Sequence, residues 1–110
     1  MILRDKIEVI EGRRVEDEYG DVTTDWTVPV VKASLAAQVD YRSTSVDMSS
    51  GGFRITEQLV AIVARWSGFN VKTQRIRWKE RQYRPDGAER TVTAAGRIHH
   101  IEVPLIYVTG

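Results

Sequence analysis

The residue types able to do chemistry are few and poorly placed for it. His99 and His100 are adjacent, and in an extended segment neighbouring side chains point to opposite faces, so the two cannot grip one ion. His100 and Glu102 do share a face, but two ligands without a third or fourth make a poor metal site. The expectation is one histidine packed inward, one at the surface, and no metal. Serines are plentiful at 34, 43, 45, 49, 50 and 67, yet none stands in a Gly-x-Ser-x-Gly elbow. The chain has no cysteine, which removes thiolate nucleophiles, disulfides and Cys-ligated zinc or iron–sulfur sites. The glycines form neither a dinucleotide fingerprint nor a phosphate-cradling loop. Glu16, Asp17, Glu18 and Asp21 crowd one turn without the spacing of a calcium loop, which makes them a solvated turn. The residues point to no enzyme and to no cofactor.

Charge is more informative than catalytic chemistry. Residues 1–25 carry Arg4, Lys6, Arg13 and Arg14 against eight carboxylates, about −4 for the segment. Residues 72–84 carry Lys72, Arg75, Arg77, Lys79, Arg81 and Arg84 against Glu80 alone, about +5. Opposite charges on one small chain suit a heterologous, head-to-tail contact between copies that closes into a ring. A basic hairpin interleaved with Trp78 and Tyr83 also fits a second reading, a small β-barrel that binds nucleic acid. Against it, both aromatics fall at inward positions of the strand alternation and read as core, which makes the arginines a solvated face.

These residues must be positioned by short elements. A chain of 110 residues with 42% hydrophobic and 28% charged residues is expected to be a single domain over 1–110, neither disordered nor membrane-spanning. Leu59 to Ala64 is the longest apolar run, far below the ~18 residues of a spanning helix. Arg4, Asp5 and Lys6 leave no room for a signal-peptide apolar region, so the expected setting is a cytoplasm. Turn residues recur at Gly12, Gly20, Pro29, Gly51-Gly52, Gly68, Pro85 to Gly87, Gly96 and Pro104, which favours strands over helices. Ile2 to Ile10 reads as a strand, and Glu11 to Asp25 as a long polar hairpin loop turning at Tyr19-Gly20-Asp21. Trp26 to Tyr41 alternates through Ala33, Leu35, Ala37 and Val39, with Pro29 marking an edge or a bulge. Thr56 to Trp66 reads as strand from Val60, Ile62 and Val63, although Leu59, Ile62, Val63 and Trp66 also make a helical stripe. Gln74 to Trp78 and Gln82 to Arg84 pair across a tight turn at Lys79-Glu80. Arg97 to Val108 closes the chain, with Pro104 sending its second half to an edge. The fold class is all-β, a small barrel or sandwich of about six or seven strands.

Arg42 to Gly52 is the segment with the least apolar content, and it cannot bury much. It is expected to be a mobile loop projecting from the fold, and long loops in compact chains usually have a use. Its residues Arg42, Ser43, Thr44, Ser45, Asp47, Met48, Ser49 and Ser50 are the first functional candidates. Glu16, Asp17, Glu18 and Asp21, with Arg75, Arg77, Lys79, Arg81 and Arg84, form the candidate charged face toward other copies or partners.

Read in order, the chain resembles the small head-closure, or stopper, proteins of tailed bacteriophages with long non-contractile tails, most of all those from phages of actinobacteria. The resemblance lies in Leu3-Arg4-Asp5 opening a strand, the Asp17-x-Tyr19-Gly20 turn, and Pro29-Val30-Val31 leading the next strand. The serine-rich loop follows, then Arg75-Ile76-Arg77-Trp78 with Tyr83, and Gly96-Arg97-x-His99-His100-Ile101-Glu102-Val103 near the end. It implies a β-barrel without catalytic residues, assembled as a homo-oligomeric ring of six or twelve copies at the head–tail junction of the virion. It implies portal and adaptor proteins above, a tail terminator or tail tube below, and packaged DNA retained in the channel. The residues matching the family's channel loop are Arg42 to Gly52.

Overall fold

The structure is a computed structural model and describes residues 3–48, 52, 54–64 and 69–109. Seven strands follow one another: β1 (Asp5–Glu16), β2 (Val22–Asp47), β3 (Arg54–Val63), β4 (Gln74–Trp78), β5 (Arg81–Pro85), β6 (Arg90–Ala94) and β7 (Arg97–Thr109). All pairings are antiparallel, in the order β3-β2-β1-β4-β5-β7-β6, and an additional β3–β7 pairing brings six of the strands round into a ring. The all-β expectation and the strand number hold. Period-two alternation explains the enclosed core: Ile7 and Val9 from β1, Leu59, Ala61 and Val63 from β3, Ile76 and Trp78 from β4, Tyr83 from β5, and Ile101, Val103 and Leu105 from β7 all point inside. Fully burying each large member contributes about 1.5–3 kcal/mol.

The strands overrun this ring. The far halves of β1 and β2 form a two-stranded ribbon, Arg13↔Asp25 to Glu16↔Val22, closed by the turn at 17–21. The polar stretch Glu11 to Asp25, expected as a loop, is therefore mostly paired strand. β2 then continues to Asp47 and pairs with β3 as far as Asp47↔Arg54. So Arg42 to Asp47, also expected as a loop, is the edge strand of a second ribbon, in which β3 is backed by β7 as far as Ile55↔Thr109. The reason is the same in both places: ladder hydrogen bonds come from the backbone and do not require apolar side chains. A third ribbon, β6–β7, turns at Ala95-Gly96, both at positive φ as a two-residue hairpin turn needs.

Of the three prolines, Pro29 and Pro104 behave differently from one another. Pro29 lies in the irregularity between Glu11↔Val30 and Arg13↔Asp25, where it owes no ladder bond, as its residue type foretold. Pro104 does not end or displace its strand. It stands opposite Val60 in the middle of β7, and its carbonyl accepts from the Asp86 amide at 2.9 Å. A strand residue's N and O point the same way, so the missing N–H faces the side where β5 has already ended at Pro85. Thr56 onward is strand through Val63; Trp66 and the Ser67-Gly68 stop lie outside the described residues.

Candidate functional site

The first ribbon ends in a turn organised by Asp17. Its Oδ1 accepts from the amides of Tyr19 at 2.9 Å and Asp21 at 2.8 Å, while Asp17 N donates to Asp21 O and Gly20 N to Asp17 O. Gly20 sits at φ 84°, a conformation that favours glycine. The turn thus occupies Asp17 and leaves Glu16, Glu18 and Asp21 exposed around Tyr19, which is 82% exposed. No ion pair reaches these three carboxylates among the described residues.

At the base of the same ribbon, Gly12 permits a close approach. A Cβ there would collide with Thr24 Cγ2 and stand 2.9 Å from Trp26 Cε2, so glycine lets Thr24 and Trp26 lie across β1. Trp26 is half-buried; its carbonyl accepts from Gln82 Nε2 at 2.9 Å, and the Arg75 guanidinium stacks 3.9 Å from its ring. Trp26 lines an open cleft of about 660 Å³ with Arg14, Lys72, Arg75, Arg84 and Glu11. The sequence marks Trp26 only as the start of a strand; the glycine at 12 is the local signal for its position.

The basic hairpin is not one continuous face. β4 and β5 pair as Ile76↔Tyr83, Arg77↔Gln82 and Trp78↔Arg81, with Lys79 and Glu80 at φ 50° and 64° in the turn. Trp78 and Tyr83 are inside, as the alternation requires. Arg77 is neutralised by Glu8 at 2.9 Å, a hydrogen bond that holds the Glu8 carboxyl below its ordinary range. Arg81 lies over Tyr107 and reaches Glu57 at 3.3 Å. Lys79 covers the Trp78 ring at 4.6 Å. Arg75 and Arg84 are left as neighbours without a carboxylate among the described residues; burial first, and the Arg84 charge second, work against the proton on Arg75.

The second ribbon presents Arg42, Ser43, Thr44, Ser45, Asp47 and Met48 to solvent, with Ser43 donating to Gln58 Oε1 at 2.7 Å. Tyr41, Val46 and Met48 are its exposed apolar residues. Ser49 and Ser50 lie outside the described residues.

The histidine pair departs from expectation. A bulge between Val92↔His100 and Thr93↔Ile98 leaves His99 unpaired, which undoes the alternation. Both rings come together, 4.9 Å between centroids and 2.6 Å between Nδ1 atoms. Neither packs into the core: His99 is exposed, and half-buried His100 stands 3.6 Å from Glu102, whose carboxyl is held low chiefly by its hydrogen bond from Arg90.

Compared with known proteins, the sequence matches the family described as phage head completion protein over residues 2–104. No curated protein matches it. Among solved structures, the chain is similar to one from the virion of a native gene transfer agent particle, with a TM-score of 0.64 at 21% identity, covering 99% of this chain and 97% of the other. That likeness supports the fold.

Proposed function

The chain belongs to the phage head completion protein family, a structural virion role, and from that premise we propose that it is a connector subunit at the head–tail junction. Copies form a ring of six or twelve that closes the portal channel, retains the packaged DNA and docks the tail, with portal or adaptor proteins on one side and tail terminator or tail tube on the other. The β2–β3 ribbon, from Arg42 through Met48, reaches into the shared channel and contacts DNA. The particle assembles in the host cytoplasm, and the chain acts without catalysis.

One observation supports this beyond family: three ribbons carry apolar side chains outward from a ring of strands that is already filled. Val15, Val22, Tyr41, Val46, Met48 and Ile98 are exposed on them. The β1–β2 and β6–β7 ribbons end two-stranded, and two-stranded ribbons are marginal alone in water and gain from neighbours, whereas β3 of the second extension is backed by β7 as far as Ile55↔Thr109. The nucleic-acid reading loses support, because Arg77 and Arg81 are already paired with carboxylates.

The test is composition of purified particles. Labelled protein is expected in intact virions at a ring-like copy number, and its absence overturns the proposal. A second variant replaces residues 46–55 by Asn-Gly, joining Ser45 to its ladder partner Thr56 through a tight turn. The shortened chain is expected to fold and join particles that lose DNA on storage; unchanged DNA retention removes the channel role from this ribbon.

A further inference from the structure

The cleft beneath Trp26 presents a specific imbalance. Glu11, the one acid among its described lining residues, is already engaged by Lys32 at 3.4 Å. Arg14, Lys72, Arg75 and Arg84 line the same cleft, and none meets a carboxylate within salt-bridge distance among the described residues. Arg75 is half-buried on the Trp26 face beside a like charge, so it lacks both full hydration and a counter-ion. A guanidinium laid over an indole and ringed by uncompensated cations is built for a partner that brings an aromatic side chain, to stack on the guanidinium, flanked by carboxylates.

This chain carries such a group at the end of its first ribbon. Tyr19 stands exposed there with Glu16, Glu18 and Asp21, which meet no cation among the described residues, while Asp17 fixes the shape of the turn. The ribbon holds that tip about 15 Å beyond Gly12 at the usual strand rise. A hydrogen-bonded ribbon does not fold back on its own base, so the tip reaches only a second copy's cleft. We propose that the Glu16–Asp21 turn of one copy seats in the Trp26–Arg75–Arg84 cleft of the next, Tyr19 against the outer face of the Arg75 guanidinium that covers Trp26 and the carboxylates on the arginines. The contact is heterologous, tip to base, so it repeats in one direction around a ring. It rests on the ring proposed above and names the surfaces that make it.

The absence of cysteine makes the test clean. Val22→Cys, beside the tip, combined with Thr73→Cys at the cleft rim, treated with a short bis-maleimide in purified particles, is expected to give a ladder of cross-linked species ending at one closed size. Either single variant is expected to give no ladder. Double-variant particles that contain the protein but yield no ladder overturn the socket and leave the connector role standing. Absence of the wild-type protein from particles overturns the connector role instead, and the same ladder on the concentrated purified chain then decides the socket.

Charge exchange is the second arm. Arg75→Glu with Arg84→Glu, and separately Glu16→Lys with Glu18→Lys, are each expected to cut incorporation into particles about tenfold or more. Combining all four is expected to recover it to within about threefold, because every reversed tip then meets a reversed cleft. Folding of each variant is checked by its thermal transition. A folded four-fold variant that stays out of particles overturns the proposal. So does retention of full incorporation by the Arg75→Glu, Arg84→Glu chain, including the case in which that chain loses only low-salt binding to an oligonucleotide.

Discussion

The ring of strands and the ribbons that leave it are built from the same backbone pairing but hold together for different reasons. In the ring, every strand has two neighbours and its inward residues fill a shared interior, with Ile7, Val9, Ile76, Tyr83, Val103 and Leu105 at 2% exposure or less. In the β1–β2 ribbon each strand has one partner, and Val15, Val22 and Tyr19 face water. The shape records the division. The radius of gyration is 16.0 Å with extents of 53 × 36 × 22 Å, against about 13 Å for a compact chain of this length. The difference teaches that one chain divides its work: the ring stabilises the subunit, and the ribbons carry the surface that the proposed contact between copies would cover.

Substitutions can break that contrast. Tyr83→Ala in the ring leaves a cavity between Trp78 and Tyr107 and is expected to cost about 3–5 kcal/mol in chemical denaturation. If it costs no more than a ribbon substitution, the division into body and arms is wrong. Gly12→Ala, at the root of the first ribbon, forces Thr24 and Trp26 aside and is expected to cost about 1–3 kcal/mol, with the Trp26 fluorescence shifting as its ring is displaced. The β4–β5 turn holds Lys79 and Glu80 at positive φ; replacing them by Asn-Gly is expected to raise stability by about 1 kcal/mol, read as a higher melting temperature. Val46→Ala on the second ribbon is expected to move stability by less than about 0.5 kcal/mol while weakening assembly.

Acid sharpens the same comparison. Glu8 in the ring, paired with Arg77, and Glu102, paired with Arg90 on the β6–β7 ribbon, both have carboxyls held below the ordinary value of 4.5. A carboxylate depressed by folding adds stability that is present above its unfolded pKa and lost as pH falls through the lower, folded value. Stability is therefore expected to decline below about pH 4.5, by a small amount because both pairs face solvent. Glu8→Gln and Glu102→Gln should each flatten the acid limb of a pH–stability curve, the second also speeding amide exchange in β6. An unchanged limb in both variants would show that neither pair contributes.

Much of the ring was legible from residue order. Ile76, Trp78 and Tyr83 alternate with arginines in a pattern only a half-buried hairpin satisfies, and the structure pairs Ile76 directly with Tyr83. The ribbons were not legible as strands: Ser43, Thr44 and Ser45 offer no apolar face to count, yet their backbones pair with Gln58, Glu57 and Thr56. β6 gives no strand signal for the same reason, since Arg90 to Ala94 places one half-buried valine among exposed residues. The histidines misled because alternation fails at a bulge, and the bulge lies opposite Val92 and Thr93, outside the local pattern. At the candidate site, the acidic turn was visible in the string of carboxylates, but the cleft was not. Trp26, Lys72 and Arg84 come from three separate segments and meet only because β1 lies between β2 and β4.

The sequence by itself determined the strand class, the inward residues of the hairpin, the acidic turn and the lack of thiol chemistry, since each depends on residue type or on spacing within one segment. Tertiary structure alone decided which cations keep a free charge. Glu8 reaches Arg77 and Glu57 reaches Arg81 across long stretches of chain, whereas Arg75 and Arg84 are set beside each other with no carboxylate in range among the described residues. Coulomb interactions fall off over a few ångströms in a salt solution, so distance in space, which residue order does not specify, selects the pairs.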